Sequence, residues 1–299
     1  MDKRLLDALL DGMFPMEEST KYFKCLIYGD PGSGKTVLGG AIGDRVLHIE
    51  ADPDGWQSLF NHPELVDNHR MKRMKYQGVS QLETLATALT EGIKEVTQFD
   101  TILVDTGSNI ANLDLDVVTK KRIQKKGKDA QNQIKFDFDE DMWAAYKENA
   151  HRVRMAFLQL FLCDINIVVT AHAREITLKN QGVEQTTKIV PDFSPKILAS
   201  INGLSSLIAY HTAKGGGVDT DGSVKYTRKI QVHPTNTIIA KSRIGGLKTV
   251  VDVPYVNSLR EIVEKWQNAG GTLKTHEEAE EIKPESEGIY TAVKTGLEI

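Results

Sequence analysis

The sequence predicts an α/β fold built on a mainly parallel sheet, and three observations carry that reading. Short apolar runs alternate with stretches of helical periodicity, a glycine-rich segment joins the first run to a helix, and after residue 205 the alternation gives way to a hairpin pattern. The runs at 23–28, 46–50, 71–76, 101–105, 165–170 and 205–211 read as strands, and 35–43, 80–97, 140–163 and 258–267 as helices. Leu207 to His211, a turn at Gly215-Gly216-Gly217, and Val224 to Val232 read as antiparallel strands that extend the sheet. At the start, Leu5, Leu6, Leu9, Leu10, Met13 and Phe14 recur at helical spacing up to Pro15. A helix that short does not hold alone, so it must dock on its own core or on a neighbouring subunit. Three parts result: an N-terminal helix and linker at 1–20, one main domain at 21–271, and an acidic tail at 272–299 that reads as mobile.

Bulk composition narrows the class. With 299 residues, 40% hydrophobic and 26% charged, the chain suits one large core of an ordinary soluble protein. The net charge of -4 excludes a uniformly basic nucleic-acid coat, so contact with DNA would need a local patch. No stretch is long and apolar enough to cross a bilayer. The acids in Met1-Asp2-Lys3-Arg4-Leu5-Leu6-Asp7 interrupt any secretory signal core. Cys25 and Cys163 both sit inside apolar runs, which fits reduced thiols in a cytoplasm.

The most specific segment is Gly29-Asp30-Pro31-Gly32-Ser33-Gly34-Lys35-Thr36, with Val37 continuing into the helix behind it. Its spacing and its strand-then-helix setting are those of a phosphate-binding loop. The glycines let backbone N–H groups wrap around phosphates, Lys35 supplies a point charge to the β/γ oxygens, and the Thr36 hydroxyl can ligate Mg²⁺. A nucleoside triphosphate is the ligand that this chemistry expects.

Four further pieces can be placed around it. Thr101 to Asp105 is an apolar strand ending in an acid, and Asp105 suits the metal-side carboxylate. Glu50 and Asp52, at the end of the second strand, each offer a base to position attacking water. Asp52 is favoured because it lies nearer the carboxyl end, where ligands of open α/β sheets bind, although Asp52-Pro53-Asp54-Gly55 also reads as simple turn chemistry. His172, after the strand that ends at Thr170, is either a γ-phosphate sensor or a satisfied structural histidine. Lys241 and Arg243 alternate on one strand face, as two fingers reaching a neighbour's site would, or as a solvated basic turn.

Taken in order, these pieces resemble the RecA-like ATPase core over roughly residues 21–255. More closely, the chain is similar to phage-encoded nucleotide-binding proteins of the AAA type, including the short single-strand annealing recombinases found beside phage single-stranded-DNA-binding proteins. The resemblance implies a RecA-like P-loop core, ATP and Mg²⁺ as cofactors, and Lys241 and Arg243 acting across a subunit interface in a ring or filament. It implies the cytoplasm of a host cell and a phage single-stranded-DNA-binding protein as partner. Where that family usually has a glutamate to activate water, this chain has Asp52, which shortens the reach of the base and implies slow hydrolysis. Two loops are implied to touch single-stranded DNA. The first holds Lys120, Lys121, Arg122, Lys125, Lys126 and Lys128, and the second starts at Arg174. The first run also reads as a solvated helix face, and Trp143 and Tyr146 read as core. An ATP-dependent single-strand annealing protein is the leading functional expectation. A replicative helicase or its loader, and a nucleotide-gated interaction protein with little turnover, are the alternatives.

Overall fold

The computed structural model describes residues 22–66, 70–128, 138–179, 185–218 and 224–268. The expected N-terminal helix and acidic tail lie outside them. The described strands are β1 (Lys24–Gly29), β2 (Val46–Glu50), β3 (Met71–Lys75), β4 (Thr101–Asp105), β5 (Asn166–Lys179), β6 (Gln185–Pro191), β7 (Leu207–Val218), β8 (Val224–Gln231), β9 (Lys241–Ser242) and β10 (Val250–Asp252). They form one sheet in the order β10-β8-β7-β1-β5-β4-β2-β3, with β6 paired to β5 and β9 to β7. Every pairing from β7 through β1, β5, β4 and β2 to β3 is parallel, whereas β6, β8, β9 and β10 pair antiparallel. This is the α/β class with a mainly parallel sheet and a hairpin extension that the sequence predicts.

β1, β2 and β4 are buried at every position, as a parallel sheet covered on both faces must be. On one face Leu26, Ile49, Val104 and Val169 meet α3 (Val79–Thr90), α6 (Phe138–Leu162) and α7 (Pro195–Leu204) through Leu82, Phe157 and Ile201. On the other, Ile27, Leu103, Val168 and Ala209 meet α1 (Lys35–Gly40) and α8 (Ser258–Asn268) through Leu38 and Leu259. β3, at the sheet's edge, carries Lys72, Arg73 and Lys75 on a half-exposed strand, which discourages pairing with another chain. Cys25 and Cys163 are buried free thiols.

Several elements differ from the sequence reading. The helix expected over 35–43 ends at Gly40, and the one expected over 80–97 is two, α3 and α4 (Lys94–Thr97), split where Gly92 takes φ 71°. The glycine triplet at 215–217 is not the hairpin turn: β7 runs through it and pairs with β8 until a register shift between Gly215 and Val218. Strand partners there override the local preference of glycine for turns. α5 (Gly107–Lys128) and α7 complete the set, and α2 (Pro63–Val66) follows a 3-10 turn at Gly55–Asn61.

Candidate functional site

Parallel pairing aligns the carboxyl ends of the central strands. Gly29, the last residue of β1, stands in register with His172 of β5 on one side and His211 of β7 on the other. From there the chain turns through Gly32 (φ 74°) and Gly34 (φ 100°) into α1. Lys35 is buried, and its Nζ donates to the carbonyls of Gly29 at 3.0 Å and Asp30 at 2.7 Å. Burial lowers the Lys35 pKa, while the carboxylates of Asp105, Asp30 and Asp52 work to raise it. The lysine expected to meet phosphate thus lies among the acids expected to meet metal and water.

Asp105 ends β4 on the same sheet face as α1, because side chains alternate along a strand. The Thr36 hydroxyl donates to its Oδ2 at 2.7 Å, and the Thr170 hydroxyl donates to Oδ1. Nε2 of buried His48, on β2, lies 3.6 Å from Oδ2. Burial works to raise the Asp105 pKa, but His48, Thr170 and Thr36 outweigh it and hold the carboxyl below its ordinary value. An ionised carboxylate beside a threonine hydroxyl is a hard oxygen pair of the kind Mg²⁺ takes when phosphates and waters complete its shell. Among the described residues no group of three or more His, Cys, Asp and Glu side chains is placed to hold a metal ion.

Asp52 and Glu50 separate clearly. The backbone N–H groups of Ala51 and Asp52 donate to the Asp105 carbonyl at 2.7 and 3.2 Å, tying the end of β2 to the end of β4. A side chain at Gly55 would begin 3.3 Å from Asp52 Cβ and 3.5 Å from Asp105 Oδ2, so the 3-10 turn gathers both carboxylates at one place. Glu50 is buried, and its Oε2 lies 3.5 Å from Nε of Arg73 on β3. Arg73 in turn lies over the Trp56 ring at 4.3 Å.

His172 sits beside the phosphate loop, its backbone N–H donating to the Ser108 hydroxyl at 3.0 Å and its Nδ1 buried without a partner. His211, 1% exposed, presents Nδ1 to Ser33 Oγ at 3.3 Å. Burial, followed by the charges of Lys35 and Arg228, lowers its pKa to about 4. The sequence pattern marks neither His211 nor Arg228, because both reach the loop from strands nearly two hundred residues away. His48 and Thr170 were legible in principle, since each lies two residues before a candidate, Glu50 or His172, on the same strand face.

Lys241 and Arg243 are not brought to this chain's own loop. They donate to the carbonyls of Asn202 and Gly203, the latter at 2.7 Å, at the carboxyl end of α7, where cations complement the helix dipole. β9 pairs with the start of β7 at Leu207 and Ile208, whereas the loop meets β7 at His211, about 13 Å further along the strand.

The basic run expected as a DNA loop is helix. Lys120, Lys121 and Lys125 are exposed on α5, and Arg122 pairs with Glu148 of α6 at 2.6 Å. Lys126 and Lys128 are on the same helix, but their side chains lie outside the described residues. α5 holds its helical form by packing on α6, where Asp114 is clamped by Arg152 at 2.9 Å and receives a bond from Asn149. Arg174 likewise lies in a strand, β5, and pairs with Asp192 at 3.3 Å. Trp143 and Tyr146, expected in the core, stand on the outer face of α6 at 62% and 51% exposure, with Lys147 Nζ 5.0 Å from the Trp143 ring centre.

A cavity of about 500 Å³ opens beside the loop, lined by Gly34, Val37, His62, His211, Arg228 and Tyr255 among others. It is of a size and mixed polarity to take a nucleoside. Among the described residues no helix is long and apolar enough to cross a membrane.

No curated protein matches the sequence. Among solved structures, the flagellar accessory protein FlaH from Methanocaldococcus jannaschii is similar over 85% of this chain and 96% of its own, at 12% identity and a TM-score of 0.36. The model of an AAA domain family matches residues 21–244, from the approach to β1 through β9 and Arg243 just after it. The chain therefore belongs to that AAA domain family.

Proposed function

We propose that this protein binds ATP with Mg²⁺ and hydrolyses it. The convergence of Lys35, Thr36, Asp52 and Asp105 on one loop is the observation that carries this reading. Thr36 and Asp105 would hold the metal, which would supply charge to neutralise the β- and γ-phosphates. Lys35 exchanges its backbone carbonyl partners for phosphate oxygens. Asp52, whose carboxylate has no ion pair among the described residues, orients and deprotonates water, and His172 responds to the terminal phosphate. Residues 21–271 form the working domain. Release of inorganic phosphate from MgATP tests the reading, with Lys35→Ala as the expected inactive variant.

Single-stranded DNA is the partner we propose for this ATPase, in annealing or strand pairing. Support comes from the outer face of α6 and from α5, which expose two aromatic rings and several lysines. Rings give bases a stacking platform and cations neutralise phosphates, a combination that binds single strands without reading sequence. Lys241 and Arg243, remote from their own loop, would reach a second copy's site by exchanging their Asn202 and Gly203 partners, so assembly would complete the site. Titration of the protein into labelled oligothymidylate at low and high salt checks DNA binding, and sedimentation with MgATP checks assembly.

A further inference from the structure

Two side chains from the β7–β8 hairpin meet the phosphate loop where no motif announces them. A β-carbon on Gly34 would stand 3.4 Å from Nε of Arg228 and 3.7 Å from Cε1 of His211. Both residues line the cavity that also borders Gly34 and Val37.

Each lacks something that a ligand would supply. The Nε2 of His211 is buried without a hydrogen-bond partner, while Nδ1 is taken up by Ser33. Leaving such an atom unsatisfied is costly, so a polar ligand group in the cavity stabilises it. Arg228 is half-buried beside the Tyr226 ring, 5.5 Å from its centre, and no carboxylate pairs with it among the described residues. A guanidinium cannot shed its charge, and its fork of donors matches phosphate oxygens. Nearby Lys35 and Lys229 do not neutralise it, since Lys229 is engaged by Asp252 at 3.1 Å and both are cations.

The position selects which part of a nucleotide is reached. Lys35 serves the terminal end of the triphosphate, and the amides behind it serve the α/β end. Gly34 and Val37, with the cavity beyond them, therefore face the α/β end and the nucleoside.

We propose that Arg228 binds the α- and β-phosphates of the nucleotide held by its own chain, with His211 Nε2 hydrogen-bonded to the same ligand. This rests on the phosphate-loop reading. It adds that one chain holds a nucleoside diphosphate unaided, by a cation from the hairpin rather than from a second copy.

Fluorescence titration with a mant-labelled ADP and Mg²⁺ tests it. Arg228→Ala is expected to weaken binding by about tenfold or more, and Arg228→Lys, which keeps a point charge without the fork, by less. Should Arg228→Ala fail to fold, Arg228→Gln is read by the same criterion, since it keeps a polar end without the charge. Adding ADP to ¹⁵N-histidine-labelled protein should move the His211 Nε2 resonance. Binding by Arg228→Ala or Arg228→Gln within twofold of the unaltered protein overturns the proposal, provided Lys35→Ala has lost binding. If the unaltered protein itself binds no ADP, the phosphate-loop reading fails and this proposal fails with it.

Discussion

The Thr36 hydroxyl and the Asp105 carboxylate are in direct contact, 2.7 Å apart across 69 residues of chain. One sits on the helix after the loop and the other at the end of β4, so the hydrogen bond records how the fold brings a candidate metal-binding pair together from separate pieces. If Mg²⁺ were bound, these two oxygens would be its protein ligands, and the Thr36 hydroxyl proton would have to turn away from Asp105.

Asp105→Asn should therefore abolish Mg²⁺-dependent hydrolysis, by about 10² or more in kcat, while nucleotide binding in EDTA changes little. Phosphate release and titration with and without Mg²⁺ separate the two. An Asn variant that hydrolyses ATP at the unaltered rate contradicts the metal role.

The two candidate bases make opposite predictions. Asp52→Asn should lower kcat by about 10²–10³ with ATP still bound, because its carboxylate faces the Asp105 site. Glu50→Gln should cost less, since Glu50 already answers to Arg73. Single-turnover kinetics on both variants decides the assignment, and the reverse ranking would give the role to Glu50.

His211 links stability to acid. Its folded pKa of about 4 lies below the ordinary histidine value of 6.5. Between these values the unfolded chain binds the proton and the folded one does not, so stability is full above pH 6.5 and declines as pH falls toward 4. Lys35 and Arg228 face the ring and Ser33 bonds it, so protonation has no carboxylate to offset it there. The loss amounts to about 3 kcal/mol at pH 4. Urea unfolding from pH 7 to pH 4.5 should show it, and His211→Gln should flatten the profile.

Glycine substitutions discriminate crowding from backbone strain. A β-carbon at Gly29 would lie well inside contact distance of the His211 carbonyl oxygen, backbone that cannot swing aside. Gly29→Ala should cost about 1–3 kcal/mol. Gly32→Ala meets nothing within 4 Å and suffers only from its φ of 74°, about 1 kcal/mol. Equal melting temperatures for the two variants would contradict the crowding at Gly29.

Trp143→Ala should weaken oligothymidylate binding by about tenfold, from the loss of one stacked base, with little change in melting temperature because the ring is exposed. A variant with unaltered DNA affinity removes α6 from the interface.

What was legible in the sequence is what is local. Strands β1, β2 and β4 have apolar centres because they are buried on both faces, and the phosphate loop is one continuous segment. α7 carried a signal that was there to be read, Ser194 followed by Pro195 at the first helical turn. α5 did not, because its lysine-rich second half shows no clean apolar stripe and its helix depends on contacts with α6. Trp143 and Tyr146 misled because aromatic rings at helical spacing usually mark a buried face. Arg228 and His211 were hidden for a geometric reason: the register of β7 against β1 decides that they meet Gly34 and Ser33, and no local pattern encodes register between strands so far apart.

β5 has a consequence of its own. Inside the sheet it carries Thr170 and His172 to the nucleotide loop, and from Ala173 to Lys179 the same unbroken strand pairs only with β6. It works as a beam with one end clamped at the loop. If a partner of the β5–β6 arm shifted that strand, nucleotide affinity would change with it, and nucleotide would change the partner's affinity by the same factor. A single strand thus offers a path between the two ends, and any coupling along it would be measurable from either end.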